Sequence, residues 1–170
     1  PPGTTAAVQA LSRRFGATPF MTLLAAFLAL LHRHTSRADL PVGSPIANRG
    51  RAEIEGLIGF FVNTLVLRTS VDGDPAFGEL LARVRSMAAG AYAHQDLPFE
   101  TLVDAVAPER QLSHNPLFQV MFLLQNAPMP ELAVSGLTLS SLRMRGGTSK
   151  FDLSLYFWEG TPEIIGYFEY

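Results

Sequence analysis

No cysteine occurs in the 170 residues. Disulfides, a thiolate nucleophile and a cysteine-ligated zinc site are therefore excluded. This suits a reducing compartment, and the expected location is the cytoplasm. Charge is also sparse: 13 basic and 15 acidic residues make up 16% of the chain and leave a net charge of −2. That balance leaves no basic footprint for nucleic acid. The apolar run Phe20 to Leu31 is twelve residues long, ~18 Å as a helix against the ~30 Å of a bilayer core. Pro1-Pro2-Gly3 opens the chain without a basic leader pattern. Neither a nucleic-acid nor a membrane partner is expected. Internal repeats and low-complexity tracts are absent too.

What the chain has is core. At 48% hydrophobic, its length suits one compact domain burying ~70% of its unfolded surface. Thr4 and Thr5 are candidate caps for a first helix with the stripe Val8, Leu11 and Phe15, ended by Gly16. Thr18-Pro19 starts a second, a capping threonine followed by proline at the first helical position. Phe20 to Leu31 is apolar all round, which predicts an interior helix. His32-Arg33-His34 suits the negative end of its dipole better than a metal, since residues two apart do not share a helix face.

Leu40 to Ile46 reads as a strand which Pro41 and Pro45 push toward a sheet edge. After the turn residues Asn48-Arg49-Gly50-Arg51, the run Ile58 to Arg68 reads as a strand buried on both faces near the middle of a sheet. Asn63 is its anomaly. An amide there costs about 1–3 kcal/mol if its hydrogen bonds go unmade. It is either a satisfied core amide that sets register or a polar group facing an internal channel.

Asp74-Pro75 opens an amphipathic helix whose buried stripe is Phe77, Leu80, Leu81, Val84, Met87, Ala88 and Ala91. His94 to Glu100 is a bend leading into another helix, with Phe99, Leu102, Val103 and Val106 inward. His94 lies beside Asp96, but no serine or cysteine nearby completes a triad, so the histidine is read as structural. Further strands are expected at Phe118 to Gln125, Leu137 to Leu142, Phe151 to Trp158 and Glu163 to Tyr170. Phe118, Val120, Phe122 and Leu124 are expected on one face. The last strand has no capping helix after it, so the chain is expected to be trimmed at both ends.

Three segments together carry a resemblance. Ile58-Gly59-Phe60-Phe61-Val62-Asn63-Thr64-Leu65-Val66-Leu67-Arg68 resembles the [IV]GxFVNTxxxR motif of nonribosomal peptide synthetase condensation domains. His94-Gln95-Asp96-Leu97-Pro98-Phe99-Glu100 resembles their [HN]QDxPFE motif, and RQLSHNPLFQVMF, Arg110 to Phe122, resembles RDxSRNPLFQVMF. The order and rough spacing match the family. In the last motif Gln111 replaces an aspartate and His114 an arginine, while Asn115, Pro116 and Phe118 keep the pattern.

The resemblance implies an α/β fold of the chloramphenicol acetyltransferase-like type. This is an αβα sandwich with a mixed sheet and packed helices, one half of a two-subdomain V with a tunnel between the halves. Residues 1–170 would be the C-terminal subdomain. In such domains an acceptor amine attacks a donor thioester, each delivered on the phosphopantetheine arm of a peptidyl carrier protein. The implied partners are the N-terminal half of the domain, the donor and acceptor carriers and a neighbouring adenylation domain, with no cofactor bound by this chain. The histidine motif HHxxxDG belongs to the other half. None of His32, His34, His94 and His114 begins such a motif, so no catalytic residue is assigned. Ser44, in a segment similar to VG[ST]PxANR, and Asn63 are the candidate tunnel-lining residues. Arg68, His94, Gln95, Asp96, Pro98, Phe99 and Glu100 take structural motif roles. A condensation-like domain that recruits an enzyme to a carrier-bound peptide and a stand-alone acyltransferase are the other readings. The HQDLPFE match favours a condensing member over an epimerising one.

Overall fold

The computed structural model describes residues 2–50, 52–106, 115–125, 137, 148–160 and 163–170. Helix α1, Pro2–Arg14, leads through Gly16 at φ +60° into α2, Pro19–Thr35. Thr18 caps α2 as its sequence predicts, its hydroxyl accepting from the Met21 N–H at 3.2 Å. Thr4 and Thr5 are not caps but lie inside α1, where Thr5 is buried and its hydroxyl accepts the Ile164 N–H at 3.0 Å. Ser12 and Thr22 join the two helices by a buried hydroxyl pair at 2.7 Å.

Among the described residues five strands form one mixed sheet: β1 Asp39–Ile46, β2 Asn63–Ser70, β3 Val120–Gln125, β4 Leu153–Glu159 and β5 Ile164–Glu169, in the order β2-β1-β3-β4-β5. The outer pairs β1/β2 and β4/β5 are antiparallel, and β3 is parallel to both its neighbours. Between β1 and β2 lies the short helix α3, Ala52–Glu55. Between β2 and β3 lie α4, Phe77–Ala93, and α5, Phe99–Val106. Helix α4 begins at Phe77, two residues past Pro75, because Asp74 takes a positive φ and Glu79 accepts the Ala76 N–H at 3.1 Å.

Two strand positions differ from expectation. Leu40 to Ile46 lies inside the sheet, not at its edge. Prolines lack the donors for two full ladders, and the strand needs only one. All eight residues of β1 pair with β2, whereas pairing with β3 is confined to Gly43↔Met121. Conversely, Ile58 to Arg68 is not a central strand. Only Asn63 onward enters the sheet, as its edge, while Ile58 is fully exposed and Phe60 is 91% exposed.

Helices α2 and α4 pack on one face of the sheet. The core gathers Leu24, Phe27 and Leu28 of α2, Leu80, Leu81 and Val84 of α4, and Val42, Leu67, Phe122 and Leu155 from the strands. The Phe122 ring is its centre, 5.2 Å from Phe20, 5.8 Å from Phe27 and 5.9 Å from Phe157. Each fully buried side chain of this size contributes about 1.5–3 kcal/mol. Interior placement of α2 is only partial, because Ala26 and Leu30 face outward. Of the expected strand at Leu137 to Leu142, only Leu137 belongs to the described residues, in an isolated bridge.

At the outer edge, Arg68 holds the Asp39 carboxylate with Nε at 2.9 and 3.1 Å and with Nη2 as well. Their cross-strand register, Asp39↔Ser70 and Pro41↔Arg68, makes them diagonal neighbours offset by two residues on one face of the ladder. The guanidinium donating to Asp39 lowers the carboxyl pKa from its ordinary value. A depressed carboxylate stabilises the fold above the unfolded-chain value of about 3.9 and loses that contribution as pH falls through the folded value. Both side chains are more than half exposed, so the effect is small and sensitive to salt. Thermal melts of Asp39→Asn should therefore fall slightly below wild type at pH 6 and converge with it as pH falls through the lowered carboxyl pKa. Parallel pH profiles for the two proteins would show that the pair contributes nothing.

Candidate functional site

The site is built where β2 begins. Asn63 pairs with Ile46 at the end of the β1/β2 ladder, and its side chain reaches the turn between α4 and α5. Its Nδ2 donates to the carbonyls of Gln95 and Leu97, both at 2.8 Å, and its Oδ1 accepts the Phe99 N–H at 3.1 Å. The amide orientation is unambiguous, since a flip would set its oxygen against two carbonyls. Phe99 N–H is the first amide of α5, one of the four that a helix leaves unpaired. Pro98 before it has no hydroxyl or carboxylate to act as a cap. Asn63 therefore caps a helix that begins 36 residues further along the chain.

His94 ends α4, with its Nδ1 2.9 Å from the Gly90 carbonyl oxygen. His94, Asp96, Leu97, Pro98 and Glu100 are exposed, and Gln95 and Phe99 are half-buried. Glu100 occupies the first turn of α5, where its charge suits the helix dipole. From the turn, the Phe99 ring lies 5.7 Å from Phe118, and Phe118 stacks on Phe151 at 5.6 Å.

Phe118 differs from the strand pattern. It is outside β3, follows Leu117 at φ 67°, and covers Gly43 on the sheet face opposite α2 and α4. A methyl group at Gly43 would lie 2.2 Å from that ring. The positive-φ residue explains why Phe118 does not share a face with Phe122. Asn115 supports the same corner, donating from Nδ2 to the Lys150 carbonyl at 3.1 Å, and the Pro116 carbonyl accepts the Phe118 N–H at 2.9 Å. Gln111 and His114 lie outside the described residues.

Ser44 follows Val42 on the helix side of β1 and is 3% exposed. It stands opposite Leu65, two positions from the Ile46↔Asn63 pair. The two candidate lining residues thus share a sheet face and an end of the ladder, but the Asn63 amide turns to the 95–99 turn and not to Ser44. Among the described residues no group of three or more His, Asp or Glu side chains could hold a metal ion.

One residue that sequence reasoning treated only as part of a turn is Arg49. Its Nη1 donates to the carbonyls of Ile54 at 2.7 Å, Glu55 at 3.3 Å and Leu57 at 2.7 Å, and its Nη2 donates to Gly59 at 3.3 Å. Its guanidinium also sits 4.3 Å above the Phe61 ring. These bonds tie the end of α3 to the loop that precedes β2, with the Gly59 carbonyl the one held within residues 58–62. The available signal was an arginine within ten residues of two glycines, Gly56 and Gly59, inside an otherwise strand-like run. On the far side of the sheet, Tyr156, Trp158 and Tyr167 stack at 4.8 to 6.2 Å, and Tyr156 donates to Glu169 at 3.1 Å. Burial first, and that bond second, push the Tyr156 phenol pKa up.

Comparison with known proteins places this arrangement in a class. The family model described as Condensation domain matches residues 1–170, and the chain belongs to that family. It is 55% identical to one of the linear gramicidin synthase subunits of Brevibacillus parabrevis over 163 residues, 95% of this chain but 3% of that protein. The chain therefore spans only a small fraction of the curated relatives it matches. Among solved structures it resembles holo-AB3403, a four-domain nonribosomal peptide synthetase bound to AMP and glycine. That match has a TM-score of 0.90 and 25% identity, covering 98% of this chain and 14% of that one. It also resembles the X-domain in complex with OxyB from teicoplanin biosynthesis, with a TM-score of 0.82 and 26% identity, over 96% of this chain and 36% of that one. The α/β, chloramphenicol acetyltransferase-like fold expected from the motifs is the fold found.

Two outcomes follow from the Arg49 loop. Lysine cannot reproduce a planar fork over four carbonyls, so Arg49→Lys should speed chymotryptic cleavage beside Phe60 several-fold while leaving the thermal midpoint nearly unchanged. An unaltered cleavage rate would remove Arg49 as the loop's anchor. The isolated chain, with Ile58 and Phe60 exposed, should self-associate as its concentration rises. A monomer by light scattering at high concentration would refute that.

Proposed function

We propose that residues 1–170 form the C-terminal subdomain of a condensation domain that makes amide bonds between carrier-bound aminoacyl or peptidyl groups. The acceptor amine attacks the donor thioester carbonyl, the carbon–sulfur bond breaks, and the pantetheine thiol leaves with the proton. This subdomain supplies a tunnel wall and positioning, with Ser44 as the lining candidate, Asn63 turned to the 95–99 turn beside it, and no catalytic residue of its own. The histidine motif HHxxxDG is contributed by an N-terminal half. Phosphopantetheine arrives on donor and acceptor peptidyl carriers, an adenylation domain stands in the same synthetase, and the assembly is cytoplasmic. The observation that carries the reading is the convergence of three motif segments. The FVNT asparagine clasps the HQDLPFE turn, whose phenylalanine meets the NPLF phenylalanine.

A second reading is favoured by the likeness to the X-domain, whose structure is a complex with OxyB. On that reading the parent domain recruits an enzyme to a carrier-bound peptide and forms no bond itself. The two are separated by expressing the complete parent domain with loaded donor and acceptor carriers and following the acceptor arm by mass spectrometry. Condensed product is expected from the complete domain, and none from residues 1–170 alone. A complete domain that yields no amide overturns the first reading, and product from residues 1–170 alone overturns the division of labour.

A further inference from the structure

Asn63 uses three of its hydrogen-bonding positions on one turn, and none of the three partners lies in its own sheet. A register-setting core amide would bond across the ladder. A channel-lining amide would leave groups free to meet substrate. The Asn63 amide does neither. Its geometry joins the open end of the β1/β2 ladder to the start of α5. From α5 the contact continues through rings, Phe99 to Phe118 at 5.7 Å, and Phe118 onto the bare backbone of Gly43. Gly43 is the residue immediately before Ser44. The β1 segment 43–46 is thus held from two sides: by Asn63 opposite Ile46 on the ladder, and by Phe118 over Gly43.

We propose that Asn63 is a positioning residue for condensation, which sets the β1 segment bearing Ser44 through the 95–99 turn, Phe99 and Phe118 without itself touching substrate. The inference rests on the amide-forming reading above. Asparagine suits the role because it offers two donors to two carbonyls and an acceptor to one N–H from a single short side chain. Aspartate would keep the acceptor and turn a charge toward the carbonyls of Gln95 and Leu97. Leucine keeps the branched outline and loses all three bonds.

The test uses the complete parent domain with loaded carriers. Displacing a wall by about 1 Å costs up to ~100-fold in rate. Asn63→Leu should therefore lower kcat by about 10- to 100-fold while the KM for the acceptor-loaded carrier stays within about twofold. Arg83→Ala, which removes bonds to the Ser70 and Asp72 carbonyls at the far end of β2, should lower the melting temperature without changing kcat. Wild-type kcat in Asn63→Leu, or a loss confined to KM, overturns the proposal. An equal kcat loss in Arg83→Ala would also overturn it, as a general response to destabilisation. If Asn63→Leu does not fold, Phe99→Leu decides: a kcat loss at constant KM supports the relay, and wild-type kcat refutes it. Failure of the wild-type domain to make any amide would be a failure of the function itself, and is read separately.

Discussion

The hydrogen bonds of a single amide hold the ends of this structure's layers together. Strand β2 is an edge strand, and the chain between α4 and α5 must turn past its first residue. A turn ending in Pro98 cannot cap the helix it introduces, and the Gln95 and Leu97 carbonyls need donors. Asn63 meets all three needs at 2.8, 2.8 and 3.1 Å. Remove it, and three backbone groups must find water at a half-buried corner, each at a cost of about 1–3 kcal/mol where water cannot reach. The rings of Phe99, Phe118 and Phe151 pack in sequence from that corner.

The sheet's two faces are built by different means. On the helix side, alternation along each strand delivers Leu40, Val42, Leu65, Leu67, Phe122 and Leu155 to one continuous core. On the opposite side, Phe118 lies over Gly43, with Phe99 and Phe151 against it, and away from them the stack of Tyr156, Trp158 and Tyr167 remains partly open. Glycine at position 43 is a packing requirement here, because the ring occupies the space of a side chain.

Much of this was legible from residues alone. The helices of 2–14, 19–35 and 77–93 announce themselves through apolar spacing, through Thr18-Pro19 and through Gly16. The three motif segments were legible because their residue types are unusual in combination. Asn63 stood out as a polar group in an apolar run, though its partners lie 32 to 36 residues away. No local pattern encodes a contact at that separation. The same holds for Arg49: its own neighbourhood is turn-like, and only the folded loop shows four carbonyls converging on it.

By itself, then, the sequence determined the elements, the family and the identity of the exceptional residues, because these follow from periodicity, backbone preference and residue chemistry over short distances. Tertiary structure decided the order of the strands. It made the proline-bearing strand interior and admitted only Asn63–Ser70 of the apolar run to the sheet, as an edge, because pairing depends on which backbone groups the fold brings opposite one another. It also decided that residues 58–62 stay outside the sheet, in a loop that Arg49 ties down through the Leu57 and Gly59 carbonyls and the Phe61 ring. And it decided what Asn63 does, since an amide acquires its role from the groups that the fold brings within 3 Å of it.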